Sequence, residues 1–210
     1  MNLAPYIELT YLRDDCTEEK IKWLCETALE KNYYGICCYP SFIAYANTIL
    51  QGTGVVLVSV INFPHGLDKV EDCIEQAQVA VDGGVDELDI VLNYQALKEH
   101  RYVDVYENLE PFVRFAHRHH KKVKVIIESG ELDELQIMQA VQICLDARAD
   151  FIKTSTGFTP IGATVEAIQT IVPLITENIG IKASGGIKTR EQAIAMIEAG
   201  ATRIGTSSVL

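Results

Sequence analysis

Short apolar runs alternate with longer amphipathic stretches along the whole chain, and this alternation restricts the fold more than any other feature. The runs fall at residues 7–12, 35–39, 55–61, 85–92, 123–128, 151–154, 179–183 and 203–205. The stretches between them carry helical spacing, as in Ile21, Leu24, Cys25 and Ala28. Helices are expected from Thr17 onward and over 41–50, 67–81, 103–119, 132–146, 163–175 and 189–199. Thr17 offers a capping hydroxyl, but Lys20 three residues on rules out a capping box. The nearly continuous apolar run at 55–61 suits a strand covered on both faces. Strands joined by helical crossovers make a parallel sheet. Eight of them in one domain close into a barrel. The expected fold is therefore α/β, a single-domain (β/α)8 TIM barrel over 1–210, with no linker composition to divide it. Five residues follow the last run, too few for an eighth helix. A stripe of barrel is expected to lie uncovered there and to favour contacts in a homo-oligomer.

Composition narrows the partners. The formal net charge of −11 argues against nucleic acid, which needs a basic footprint. Any phosphate site must then be built locally, against the global field. No apolar stretch approaches a membrane span, and residues 1–5 lack the features of a signal peptide. The six cysteines form no C-x-x-C pair and read as reduced thiols in the core of a cytoplasmic protein.

Barrel enzymes work at the carboxyl ends of their strands. Three charges interrupt apolar strands: Asp89 in the fourth, Lys153 in the sixth and Lys182 in the seventh. Such a charge is costly unless it is paired or used. A structural ion pair between Asp89 and one lysine leaves the other lysine unpaired. Two neighbouring ammonium groups, both desolvated, lower a lysine pKa, and a neutral amine attacks carbonyls. Catalysis is the stronger reading. Glycine-bearing turns follow these strands: Thr156 and Gly157 after the sixth, Gly185 and Gly186 after the seventh, Ser207 and Ser208 after the eighth. Their N–H groups and hydroxyls suit a phosphate. A bare Gly-Gly is more often only a tight turn, and the serines on the next strand tip the balance.

The segments Ile152-Lys153-Thr154-Ser155-Thr156-Gly157, Lys182-Ala183-Ser184-Gly185-Gly186-Ile187, Asn62-Phe63-Pro64-His65-Gly66 and Asp86-Glu87-Leu88-Asp89-Ile90-Val91 resemble the deoxyribose-phosphate aldolase family, as does Val123-Lys124-Val125-Ile126-Ile127-Glu128. The resemblance runs in order over nearly the whole chain. It implies a class I aldolase that needs neither metal nor other cofactor. Its substrates would be 2-deoxy-D-ribose 5-phosphate, or glyceraldehyde 3-phosphate with acetaldehyde. By the same resemblance Lys153 is the Schiff-base lysine, Lys182 the second lysine that lowers its pKa, and Asp89 a proton relay. Gly157, Gly185, Gly186, Ser207 and Ser208 hold the phosphate, and Thr156 contacts the sugar chain. A homo-oligomer, dimer or tetramer, is implied.

Three features depart from the family pattern. Glu8 stands where Asp is usual, Phe158 where some members carry Lys, and the sequence has no C-terminal tail bearing a Tyr. An imine-free isomerase or synthase of sugar phosphates shares the phosphate features, as does a non-catalytic sugar-phosphate binder. His117, His119 and His120 suit a helix C-terminus better than a metal. His65 reads as a loop residue, Cys37 and Cys38 as buried thiols, Glu128 as a supporting carboxylate and Lys124 as structural at the bottom face.

Overall fold

The computed structural model describes residues 1–176 and 178–210. Eight strands form a closed parallel barrel in chain order: β1 (Ile7–Thr10), β2 (Gly35–Cys38), β3 (Val56–Ile61), β4 (Glu87–Val91), β5 (Lys122–Ile126), β6 (Phe151–Lys153), β7 (Gly180–Ser184) and β8 (Arg203–Thr206). β1 pairs with β8 to close it, with Glu8 beside Gly205. The alternation thus yields the expected TIM barrel. The helices are α1 (Glu18–Lys31), α2 (Ile43–Leu50), α3 (Val70–Asp82), α4 (Tyr94–Lys98), α5 (Tyr102–Arg118), α6 (Glu134–Asp146), α7 (Val165–Ile171) and α8 (Arg190–Ala199). Thr17 caps α1 by accepting from the Lys20 N–H at 3.4 Å. No helix follows β8 among the described residues; instead the N–H and C=O of Leu210 meet the Tyr33 hydroxyl at 3.0 and 2.8 Å.

Two differences from the sequence reading have local causes. The one-turn α4 is too short to show a period, and it forms because the Asn93 side chain accepts from the Ala96 N–H. The helix expected over 163–175 ends at Ile171 and passes into a 3-10 turn at Val172–Leu174. Pro173 has no N–H to continue the α-helical ladder.

The barrel divides two cores. Between strands and helices lies the large apolar layer, including Leu9, Ile36, Ile61, Leu88, Val125, Ile152 and Ile204. Inside the barrel the strand period of two presents the other residues. There Leu12, Cys37, Val58 and Val60 form a small separate apolar cluster on the β1–β3 side. Charged side chains fill much of the remainder, with Phe151 among them.

Gly35 marks how closely β2 and β3 approach: a Cβ there would lie 2.5 Å from the Val56 carbonyl oxygen. That neighbour is backbone and cannot rotate away. Gly35→Ala is expected to destabilise the fold by about 1–3 kcal/mol. Urea unfolding checks this, with a lower midpoint and an unchanged slope expected.

Candidate active site

Strand register brings the three singled-out charges together. Asp89 lies opposite Lys124 on β5, and Lys153 opposite Lys182 on β7. Asp89 Oδ2 accepts from Lys153 Nζ at 2.9 Å and from Lys182 Nζ at 2.7 Å. Its Oδ1 accepts from Lys124 Nζ at 2.8 Å. Lys182 also bonds the Glu8 carboxylate, and Lys124 reaches Glu87 Oε2 at 2.7 Å and Glu8 Oε1 at 3.3 Å. All of these side chains are buried. Gly205 makes room for this arrangement, since a Cβ there would stand 3.0 Å from the Lys182 side-chain Cε.

This arrangement corrects two sequence expectations. Pairing of Asp89 with one lysine was expected to leave the other without a partner. Instead Lys182 has two carboxylates, because β1 supplies Glu8 across the closure of the barrel. Lys124 does not sit at the bottom rim. It is the middle residue of β5 and points into the barrel, held by three carboxylates.

The electrostatics separate the two lysines that reach the cleft. Burial pulls Lys153 down, and nearby Lys182 pulls it further; Asp89 opposes them and does not prevail, so its pKa lies below the ordinary lysine value. Burial also pulls Lys182 down, but Asp89 and Glu8 outweigh it and raise the value. Burial pushes Asp89 up, yet Lys124, Lys153 and Lys182 together hold it well below the usual carboxylate range. The site therefore sets one amine that gives up its proton more readily than an ordinary lysine beside one that holds its proton more firmly.

Above the ion cluster a cleft of about 450 Å³ opens at the carboxyl ends of β1 and β6–β8. Lys153, Lys182, Thr156, Gly157, Gly185, Gly186 and Ser207 line it. Asp89 does not, and lies wholly behind the lysines. Ser208 is also outside the lining, and its N–H is engaged by Thr206 Oγ1 at 3.0 Å. The turns are cross-tied. Ser184 Oγ donates to the Ser155 carbonyl at 2.5 Å, and Thr206 Oγ1 to the Ile187 carbonyl at 2.7 Å. Gly157, Gly185 and Gly186 adopt φ of 83°, 90° and 77°, a region where a side chain is strained. Buried Glu128 accepts from the Thr156 N–H at 3.2 Å, from Thr156 Oγ1 at 2.5 Å and from Thr159 Oγ1 at 2.9 Å, so it braces the turn after β6.

The sequence reading passed over Lys188 and Arg13, which also border the cleft. Lys188 had a signal, a cation two residues beyond Gly186. Glu8, Glu87 and Arg203 were accessible to the rule already applied to Asp89, since each is a charge on an apolar strand. Elsewhere, His117 pairs with Asp150 at 3.0 Å near the end of α5, and His65 is exposed. Burial raises the Cys37 thiol to about 11.

The family profile described as DeoC/LacD family aldolase matches residues 6–209. This chain belongs to that family. It is accordingly an aldolase, a carbon–carbon lyase. It is 43% identical over 210 residues to a deoxyribose-phosphate aldolase of Thermococcus gammatolerans, covering 99% of this chain and 93% of the relative. It is 41% identical over 208 residues to one of Lactiplantibacillus plantarum, covering 99% and 97%. Among solved structures, the aldolase QR15 superposes with a TM-score of 0.93 at 40% identity, covering 99% of this chain and 92% of that one. The deoxyribose phosphate aldolase of Aeropyrum pernix, described as a unique tetramer, gives 0.90 at 31% identity, covering 98% and 86%.

The buried ions make opposite demands on stability. Asp89 and Glu8 have folded pKa values below their unfolded ones. Their contribution is complete above the ordinary carboxylate range and is lost as pH falls from that range down through the depressed folded values. Lys153, also depressed, favours the unfolded chain at low pH, and stability returns as pH rises toward the ordinary lysine value. Replacing Lys153 with Met should leave the aldolase as stable or up to about 1 kcal/mol more stable. Lys124→Met takes a cation from three carboxylates and leaves Glu87 with no cationic partner among the described residues, and should cost about 3 kcal/mol or more. Urea midpoints at neutral pH test the ranking, and the reverse order would contradict it.

Proposed function

We propose that this aldolase reversibly cleaves 2-deoxy-D-ribose 5-phosphate to D-glyceraldehyde 3-phosphate and acetaldehyde through an imine on Lys153. The observation that carries this reading is the pair of lysines opening on one cleft, with Lys153 depressed and Lys182 raised. The names of the relatives from Thermococcus gammatolerans and Lactiplantibacillus plantarum support the substrate.

In this reading the neutral Lys153 amine adds to the C1 carbonyl of the open-chain sugar, and loss of water leaves an iminium. The 3-hydroxyl then gives up its proton, and the C2–C3 bond breaks. The bond's electron pair flows into the iminium and leaves an enamine on Lys153 while glyceraldehyde 3-phosphate departs. Protonation at C2 and hydrolysis release acetaldehyde and free the lysine. No metal or organic cofactor is called for, because the iminium is the electron sink. Lys182 reaches the cleft and can carry the proton at each stage. Asp89 lies behind both lysines and acts as the bridge through which their charges are coupled. Gly157, Gly185, Gly186 and Ser207 receive the phosphate, with Ser208 behind them, Thr156 beside the sugar chain, and Lys188 adding a cation. These contacts are remote from the bond that breaks and orient it.

The same reading covers setting and assembly. We place the enzyme in the cytoplasm, consistent with unpaired cysteines and with the absence of any helix long and apolar enough to cross a membrane among the described residues. A homo-oligomer, dimer or tetramer, is proposed by likeness to the tetramer from Aeropyrum pernix.

Borohydride added to enzyme and deoxyribose 5-phosphate should trap a single adduct, mapped by mass spectrometry to Lys153. Lys153→Met should abolish it, and Lys182→Met should lower turnover by roughly 10²–10⁴-fold. No adduct in folded protein would instead favour imine-free sugar-phosphate chemistry.

A further inference from the structure

Below Asp89 the chain of ions continues away from the cleft to the floor of the barrel. Lys124 forms an ion pair with Glu87 Oε2, and the Tyr34 hydroxyl donates to Glu87 Oε1 at 2.7 Å. Arg203 Nη1 stands 3.4 Å from Glu8 Oε1. Its guanidinium lies over the Tyr34 ring, with Cζ 3.1 Å from the centroid, and 5.5 Å from the Phe151 centroid. Tyr34 and Glu87 border a separate hollow of about 500 Å³, whose other ionisable groups are Asp86, His120 and Lys122. Neither Glu87 nor Arg203 borders the cleft. Both are buried, and neither can touch a substrate held there.

The charges in this column do not cancel when every group is ionised. Among the described residues three carboxylates, Glu8, Glu87 and Asp89, meet four cationic side chains, Lys124, Lys153, Lys182 and Arg203. A surplus charge in a dry interior is costly, and the column becomes neutral when one cation releases a proton. Arginine does not release one. Lys124 touches three carboxylates and Lys182 two. Among the described residues Lys153 pairs only with Asp89, through an oxygen that Lys182 also uses. The remaining ionisable neighbour of Lys153 is the Cys37 thiol. The contacts alone thus select Lys153 as the group that yields.

We propose that Glu87 and Arg203 are positioning residues that set, from the floor of the barrel, how readily Lys153 becomes the neutral amine. They act through the column: Glu87 through Lys124 and Asp89, Arg203 through Glu8 and Lys182. Removing the negative charge at Glu87 makes a proton on Lys153 harder to keep. Removing the positive charge at Arg203 makes it easier to keep. Glu87 is separated from Lys153 by one ion-pair contact, two hydrogen bonds and two side chains, on the order of 10 Å. At an effective dielectric constant of about 20, one charge at that range moves a titration by on the order of one pH unit.

The inference rests on the imine reading, and the test separates the two. The rate of borohydride trapping on Lys153 with acetaldehyde is measured against pH in the full-length enzyme. Glu87→Gln, which keeps an acceptor for Tyr34, should move the acid limb to lower pH by about half a unit or more. Arg203→Gln should move it to higher pH by a similar amount, and the double variant should return it close to the wild-type position. Arg203→Lys keeps the charge while losing the planar stack, and should keep the wild-type profile. If Glu87→Gln does not fold, as judged by circular dichroism, the comparison of Arg203→Gln with Arg203→Lys decides alone. Coincident profiles, or shifts of both single variants in one direction, with wild-type trapping intact, would overturn the inference and leave the aldolase reading standing. Absence of trapping in the wild type would overturn both.

Discussion

Asp89 accepts hydrogen bonds from three lysines in a space that water barely enters, and the arrangement of the barrel interior follows from that requirement. Burying a carboxylate alone would cost several kcal/mol, so it must be met by cations from the strands around it. Register supplies Lys124 directly opposite on β5, and barrel closure brings Lys153 and Lys182 in from β6 and β7. Those cations in turn need anions, which β1 and β4 provide as Glu8 and Glu87. One pairing thus recruits the next, and the ionic half of the interior is a single connected network facing the apolar half formed by Leu12, Cys37, Val58 and Val60.

A network of this kind is a weak source of stability, because apolar side chains of the same volume would fill the space at less desolvation cost. What it provides is a fixed electrostatic environment at the mouth of the barrel. Lys182 and Lys153 share an oxygen of Asp89, yet one is raised and the other lowered. The difference comes from Glu8, which reaches Lys182 and not Lys153. Two identical side chains thereby differ in how readily they give up a proton in one cleft, which is the condition for acid–base and nucleophilic work at a single pH.

The phosphate-side turns depend on the same closure. Thr154 and Ser184 exchange hydrogen bonds between β6 and β7, and Thr206 ties β8 back to Ile187. Gly162 packs so closely on the Gly185 carbonyl that a Cβ would lie 2.3 Å from its oxygen. The turns are thus set by strand ends and by backbone contacts, which holds them rigidly around the opening. Phe158 stands edge-on to Phe63 at 5.1 Å, so an aromatic pair follows the turn after β6.

The eightfold alternation of apolar runs and helical periods determined the barrel, because strands joined by helical crossovers have few ways to bury both faces. Isolated charges on apolar strands marked Asp89, Lys153 and Lys182, because such residues survive burial only when paired or used. Composition excluded a basic nucleic-acid footprint for the same elementary reason, the sign of the charge. The tertiary structure alone decided which charge meets which. Glu8 is 174 residues from Lys182 and Asp89 is 35 from Lys124, and no local period encodes those pairings. They exist because β1 closes on β8 and because inward positions on neighbouring strands fall in register. Which lysine is left with the weaker claim on a carboxylate, and so which can lose its proton, is a property of that closed ring of contacts and of the water it excludes.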